Sequence, residues 1–271
     1  MIPSGSISPK LVKKGESLDT WGRGSFRIIQ EKKGYRFSLD SLILSAFTPL
    51  GQGARVLDLG TGCGILALLL AGKFPSATVF ALEWEPTLAD LASRNVRLNG
   101  LQDRVFIIRG DLKQLPSFFQ AGTLDAVVMN PPYRPLNSGR INPHPQKAVA
   151  RHEIQATLEQ CFQATAHGLK EGGKLFMIYP VRRLVGLLVY SRRFHLEPKR
   201  MRLAHSFQGK PAQWVLLEAT FRGREELMIP PPLIVYERIG VYSPELQKSF
   251  PLGKSSFSPG PTERAGGPRD S

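Results

Sequence analysis

Arg55-Val56-Leu57-Asp58-Leu59-Gly60-Thr61-Gly62-Cys63-Gly64 decides the fold: an apolar run broken by one acid ends in three alternating glycines, and the apolar stretch from Ile65 to Lys73 follows at once. The run reads as a buried strand and the stretch behind it as a helix. Glycines between the two allow a tight turn that a ligand can approach closely. Strand, glycine turn and helix together are the opening unit of a parallel sheet covered on both faces.

The same alternation continues outward. Thr78 to Leu82 is a second strand ending in Glu83, Pro86 starts a helix running toward Asn99-Gly100, and Arg104 to Ile108 is a third strand leading into Gly110-Asp111. Val127 to Met129 is the fourth strand, a helix is expected from Glu153 to His167, and Gly173 to Tyr179 is the fifth strand. A helix over Arg182 to Ser191 precedes two closing strands, Arg200 to Ala204 and Gln213 to Thr220, with one antiparallel edge. The expected fold is α/β: a Rossmann-like, doubly wound, mostly parallel seven-stranded sheet with a small amino-terminal hairpin and helix. The hairpin is Asp19 to Gly34, turning at Trp21-Gly22-Arg23-Gly24, and the helix is Ser38 to Phe47, forming a lid. The expected division is 1–50 for the extension, 51–221 for the catalytic domain, 222–249 for a proline-anchored arm and 250–271 for a disordered tail.

Ligand chemistry follows from what stands at the strand ends. A dinucleotide fingerprint needs a small residue where Ile65 stands, whereas Gly60, Gly62 and Gly64 follow a G-x-G-x-G spacing. Asp58 would repel a pyrophosphate but suits a ligand with a cationic amino-acid tail. These features point to S-adenosyl-L-methionine. Glu83 is placed to accept ribose hydroxyls, Asp111 to accept from an adenine amine, and Leu112 to pack on that ring. After the fourth strand comes Asn130-Pro131-Pro132-Tyr133. Two prolines in succession stiffen the backbone, so Asn130 Oδ1 and the Pro131 carbonyl can grip the hydrogens of a planar amine. Tyr133 offers a face on which a base or amide can stack.

With 271 residues, 42% of them hydrophobic, the chain is long enough for one large domain with small extensions. A formal charge of +14 favours a phosphate polymer or an anionic surface as partner. Cys63 and Cys161 form neither a metal spacing nor a disulfide framework. His144 and His152 lack a second ligand pair, so no metal is expected. No apolar run approaches the ~20 residues of a membrane span, and the first residues lack a secretory pattern, so a cytoplasmic protein is expected. The basic residues Arg134, Arg140, Lys147 and Arg151 follow the Asn-Pro-Pro-Tyr loop. A second group, Arg182, Arg183, Arg192, Arg193, Lys199, Arg200 and Arg202, lies beyond the fifth strand; both groups read as a face for RNA phosphates.

Together Asp58 to Gly64, Glu83, Asp111 and Asn130 to Tyr133 resemble class I S-adenosylmethionine-dependent methyltransferases acting on exocyclic amines. More closely, the chain is similar to the bacterial tRNA(Val) adenine N(6)-methyltransferase family, which modifies the adenine 3′ of the anticodon. Gly34-Tyr35-Arg36-Phe37-Ser38-Leu39-Asp40, Ala150-Arg151-His152-Glu153 and Pro231-Pro232-Leu233-Ile234-Val235-Tyr236 carry that closer likeness. Where the family usually has Gly-Thr-Asp this chain reads Ser38-Leu39-Asp40, which leaves Asp40 matched as a candidate cofactor residue in an altered context. The resemblance implies a tRNA-modifying enzyme; a monomer is expected, though the sequence itself does not fix the oligomeric state. Competing readings are methylation of ribosomal RNA or of a protein glutamine, and a non-catalytic RNA-binding module on the same scaffold.

Overall fold

The computed structural model describes residues 11–21, 26–33, 39–131 and 157–249. An antiparallel hairpin, β1 (Glu16–Trp21) with β2 (Phe26–Glu31), precedes α1 (Leu39–Phe47). The alternating body follows: β3 (Arg55–Leu59), α2 (Ile65–Lys73), β4 (Thr78–Glu83), α3 (Pro86–Leu98), β5 (Val105–Arg109), a 3₁₀ turn at Leu112–Gln114, α4 (Leu115–Phe118) and β6 (Leu124–Met129). It continues with α5 (Leu158–Gly168), β7 (Leu169–Pro180), α6 (Leu184–Arg193), β8 (Leu196–His205) and β9 (Ala212–Phe221). The arm supplies β10 (Leu233–Ile234), β11 (Tyr236–Arg238), β12 (Val241–Tyr242) and α7 (Pro244–Ser249).

The main sheet runs β10-β8-β9-β7-β6-β3-β4-β5. β3 through β7 are mutually parallel where they pair, and β9 is antiparallel to both β7 and β8. Strands β3 to β9 are the expected seven. The eighth, β10, corrects that count: past the proline run Pro230-Pro231-Pro232, which has no N–H to donate, Leu233 and Ile234 pair with Ala204 and His205 of β8. α5 also starts later than expected, at Leu158, because Thr157 and Gln160 close a reciprocal capping box.

Side chains alternate between two cores. Val56, Ala81, Ala126, Val128 and Phe176 join α1 and α2 on one face, while Leu57, Leu82, Val127, Met129 and Leu175 join α5 on the other. A sheet buried on both faces places irregular, ligand-accessible backbone at the strand ends.

The amino-terminal extension is packed against this body. Arg94 of α3 holds Glu16 with two 2.7 Å contacts and donates to the Leu11 carbonyl at 2.7 Å, with both charged side chains largely buried. Gly72 of α2 leaves room for Phe26 of β2: a Cβ there would stand 2.2 Å from the Phe26 ring. The tip of the hairpin and the tail from residue 250 lie outside the described residues.

Candidate active site

The order β6-β3-β4 makes β3 the switch point, with chain connections leaving in opposite directions on its two sides. Ligands of such sheets bind beyond the carboxyl ends there. Asp58 is opposite Val128 and Ala81, so two residues on, Glu83 at the end of β4 stands level with Gly60 and Asn130, the first residues past β3 and β6. Glu83 is paired with Arg109, which brings Gly110-Asp111 to the same rim. Asn130 therefore shares a rim with the glycine turn and with both later acids.

The three glycines of the turn have φ of 80°, 58° and 87°, a region that L side chains rarely enter. Their surroundings differ. Gly60 is exposed, and a Cβ there would meet nothing within 4 Å, so this is where a ligand can come close to the backbone. Gly64 is buried; a Cβ would lie 3.2 Å from that of Ala92, so this glycine lets α2 and α3 approach. Gly62 donates its N–H to Glu83 Oε2 at 2.8 Å. The Gly60 and Thr61 amides share the Leu82 carbonyl at 2.9 and 3.0 Å.

Two carboxylates lie under this turn. Asp58, 1% exposed, accepts the Thr61 hydroxyl at 2.5 Å, and burial pushes its carboxyl up to about 7 against that hydrogen bond, with the Glu83 charge adding to the rise. Glu83 is also raised by burial, opposed by the N–H groups of Glu85 and Gly62. Each Glu83 oxygen accepts one backbone N–H, from Gly62 and from Glu85, leaving acceptor capacity for ligand hydroxyls. Two buried acids beneath an open glycine backbone fit a cationic amino-acid ligand carrying a ribose.

Asp111 caps the 3₁₀ turn, accepting the Lys113 N–H at 3.0 Å, and Leu112 packs half-buried against the second core. Asp40 is buried in the first turn of α1, where the helix dipole favours a negative charge. Its neighbour Ser41 accepts a long 3.4 Å hydrogen bond from Asn130 Nδ2, which ties the start of α1 to the end of β6. Pro131 follows as a half-buried residue. Tyr133, Arg134, Arg140, Lys147 and Arg151 lie outside the described residues, as do His144 and His152.

Arg182 and Arg183 occupy the turn after β7, beside the rim; Arg182 is exposed and Arg183 reaches the Tyr179 hydroxyl at 3.4 Å. The rest of the second basic group is engaged elsewhere. Arg200 binds Glu218 and the Phe47 carbonyl at 2.8 Å each, and stacks over the Phe47 ring. Arg202 grips Glu245 at 2.6 and 2.9 Å and the Pro231 carbonyl at 2.8 Å. Arg192 pairs with Glu225 and Glu197, Arg193 with Glu159, and Lys199 donates to the Arg224 carbonyl. Within the expected phosphate face, Arg200 and Arg202 have protein partners of their own: Arg200 ties the end of α1 to β9 and Arg202 fastens the arm. Sequence reasoning also missed Thr61, Ser41 and two asparagines at the end of α3, Asn95 in its last turn and Asn99 as its C-cap. The asparagines stand one helical turn apart among the buried Ala92, Val96 and Leu98, a pattern that signals a polar group with a buried partner.

The model of the methyltransferase small domain matches residues 39–183, from α1 through the turn after β7. The chain belongs to the methyltransferase small domain family. It is a methyltransferase, and S-adenosylmethionine is its methyl donor. Among its relatives, a tRNA1(Val) (adenine(37)-N6)-methyltransferase of Porphyromonas gingivalis is 31% identical over 243 residues, spanning 86% of this chain and 94% of its own. The protein of the same name from Tolumonas auensis is 31% identical over 201 residues, spanning 71% of this methyltransferase and 79% of its own length. A predicted O-methyltransferase from Agrobacterium tumefaciens superposes with a TM-score of 0.63 at 19% identity, over 78% of this chain and 96% of its own, and so shares the fold. Among the described residues no cluster of side chains could hold a metal, and no helix is long and apolar enough to cross a membrane.

Proposed function

We propose that this methyltransferase methylates the exocyclic 6-amino group of an adenine in tRNA, next to the anticodon. The observation that carries the chemistry is the level placement of Asn130-Pro131 and the open glycine turn at adjoining strand ends. The relatives' names, over most of the chain's length, support the substrate.

When bound, S-adenosylmethionine supplies an electrophilic methyl group on a sulfonium. Gly60 would receive the cofactor against bare backbone, Asp58 would balance its cationic tail, and Glu83 would take the ribose hydroxyls on its remaining lone pairs. Asp111 and Leu112 meet the adenine end, and Asp40 supports the seat from α1. On the acceptor side, Asn130 Oδ1 and the Pro131 carbonyl accept the two amine hydrogens and turn the nitrogen lone pair toward the methyl group. Tyr133 stacks on the extruded base. The nitrogen's bond to the methyl carbon would form as the carbon–sulfur bond breaks, leaving S-adenosylhomocysteine; the nitrogen becomes acidic in that step and its proton leaves to water, so no strong base is required before attack. Arg182 and Arg183, with Arg134, Arg140, Lys147 and Arg151, hold RNA phosphates around the rim. Residues 51–221 form the catalytic domain, 1–50 its extension and 222–249 its arm. The protein works as a monomer in the cytoplasm.

Labelled methyl transfer to unmodified tRNA, ribosomal RNA and protein acceptors, followed by nucleoside and amino-acid analysis, tests the substrate. Label as N(6)-methyladenosine in tRNA is expected. Label confined to ribosomal RNA or to glutamine would reassign the acceptor, and RNA binding without transfer to any of them would favour the binding-module reading.

A further inference from the structure

Asn95, in the last turn of α3, is fully buried. Its Nδ2 donates to the Cys63 carbonyl at 2.9 Å and the Ile29 carbonyl at 3.1 Å, while its Oδ1 accepts the Ile29 N–H at 2.7 Å. One amide thus pairs with β2 as a neighbouring strand would, and also holds a carbonyl of the glycine turn. Asn99, one helical turn on, repeats the pairing with Arg27: its Oδ1 accepts the Arg27 N–H at 3.0 Å and its Nδ2 donates to the Arg27 carbonyl at 2.7 Å. Its second donated bond goes to the Asn95 carbonyl at 2.8 Å rather than to the turn. The two asparagines therefore share the hairpin, and Asn95 alone adds the turn.

We infer that Asn95 is a positioning residue for the cofactor turn, and that it couples docking of the hairpin to binding of S-adenosylmethionine. The inference rests on the turn being the cofactor seat. Leu82 and Glu83 hold the turn through the amides of Gly60, Thr61 and Gly62, and Asn95 holds it through a carbonyl at its far end. Without that hold, binding must order the turn at its own expense. Because Cys63 and Ile29 share one amide group, a ligand that stills the turn also stills β2, and the linkage runs both ways.

Asn95→Asp keeps the shape and the acceptor for the Ile29 N–H but loses the NH2 group: an ionised carboxylate donates to neither carbonyl and a protonated one to only one, so the link between β2 and the turn is broken in either form. Asn99→Ala loosens the hairpin alone and is the control. S-adenosylhomocysteine binding by calorimetry, the separate KM values for S-adenosylmethionine and tRNA, and hydrogen exchange of β2 with and without S-adenosylhomocysteine provide the readouts. In the wild type, S-adenosylhomocysteine slows exchange of the Ile29 amide. Asn95→Asp binds it about tenfold more weakly, raises KM for S-adenosylmethionine without moving that for tRNA, and loses the exchange response. Asn99→Ala exchanges faster at Arg27 yet keeps the affinity. Unchanged Ile29 exchange in the wild type overturns the inference without needing any variant to fold. Equal loss of affinity in the two variants overturns it as well. Failure of the wild type to bind S-adenosylhomocysteine at all would remove the cofactor seat itself, and calorimetry separates that outcome from the others.

Discussion

Glu83 Oε2 accepts the N–H of Gly62 at 2.8 Å, so the carboxylate ending β4 is part of the turn that ends β3. Its other oxygen accepts the Glu85 N–H at 2.9 Å, at the start of α3. Glu83→Gln preserves the shape, but a neutral amide has one acceptor oxygen for two backbone N–H groups. Binding of S-adenosylmethionine is expected to weaken by roughly tenfold to a hundredfold, the range for losing a hydrogen bond to a charged group. Calorimetry checks this; an unchanged Kd would detach Glu83 from the cofactor.

Burial pushes the Asp58 carboxyl up to about 7, well above the ordinary carboxylate range, and outweighs the Thr61 hydrogen bond that opposes it. An acid raised on folding binds its proton more tightly in the native state, so its contribution to stability is lost as pH rises from about 4 through 7. The thermal midpoint of the free protein should fall across that window, and Asp58→Asn should flatten the fall. A cationic ligand favours the ionised acid, so S-adenosylmethionine should bind more tightly as pH rises toward and past 7, releasing a proton below it. Calorimetry in buffers of different ionisation enthalpy measures that proton; none released at pH 6 contradicts the assignment of Asp58.

Gly60 and Gly64 share a positive φ but not an environment. Gly64→Ala adds contact with Ala92 to the backbone strain and should destabilise the fold by about 2 kcal/mol, within the range for strained positions. Gly60→Ala carries strain without contact, and its methyl group projects into open space. It should reduce cofactor affinity by a larger factor than Gly64→Ala for a smaller loss of thermal midpoint. Paired melting and binding curves decide the order, and the reverse order would move the cofactor away from Gly60.

Arg182 and Arg202 separate recognition from architecture. Arg182→Ala should leave stability within about 0.5 kcal/mol and lower the salt dependence of tRNA binding by about one phosphate contact. Arg202→Ala removes the clamp on Glu245 and Pro231, so it should lower the thermal midpoint and leave the salt slope unchanged. Binding titrations across salt concentrations, with melting curves alongside, test both. A changed slope in Arg202→Ala would return that residue to the RNA face.

Much of this architecture is legible locally. Apolar runs such as Val56-Leu57 and Val127-Val128-Met129 must be strands, and the glycines behind Leu59 mark the ligand end, because period and turn chemistry act over a few residues. What the chain conceals is partnership across distance. Arg200 looks like a phosphate ligand until Glu218 and Phe47 are brought beside it, and Asn95 signals a buried partner without naming it until β2 covers it. Leu233-Ile234 is too short to announce a strand without the edge of β8. The start of α5 is a local signal, carried by the capping box of Thr157 and Gln160.

The most direct test of the account is the single-turnover rate of methyl transfer to unmodified tRNA by Asn130→Ala, measured beside its affinity for S-adenosylhomocysteine. Asn130 stands at the end of β6 on the acceptor side, so transfer should fall by at least about a hundredfold while cofactor affinity changes by less than about threefold. A variant that transfers at the wild-type rate would contradict the claim that Asn130 orients the adenine amine.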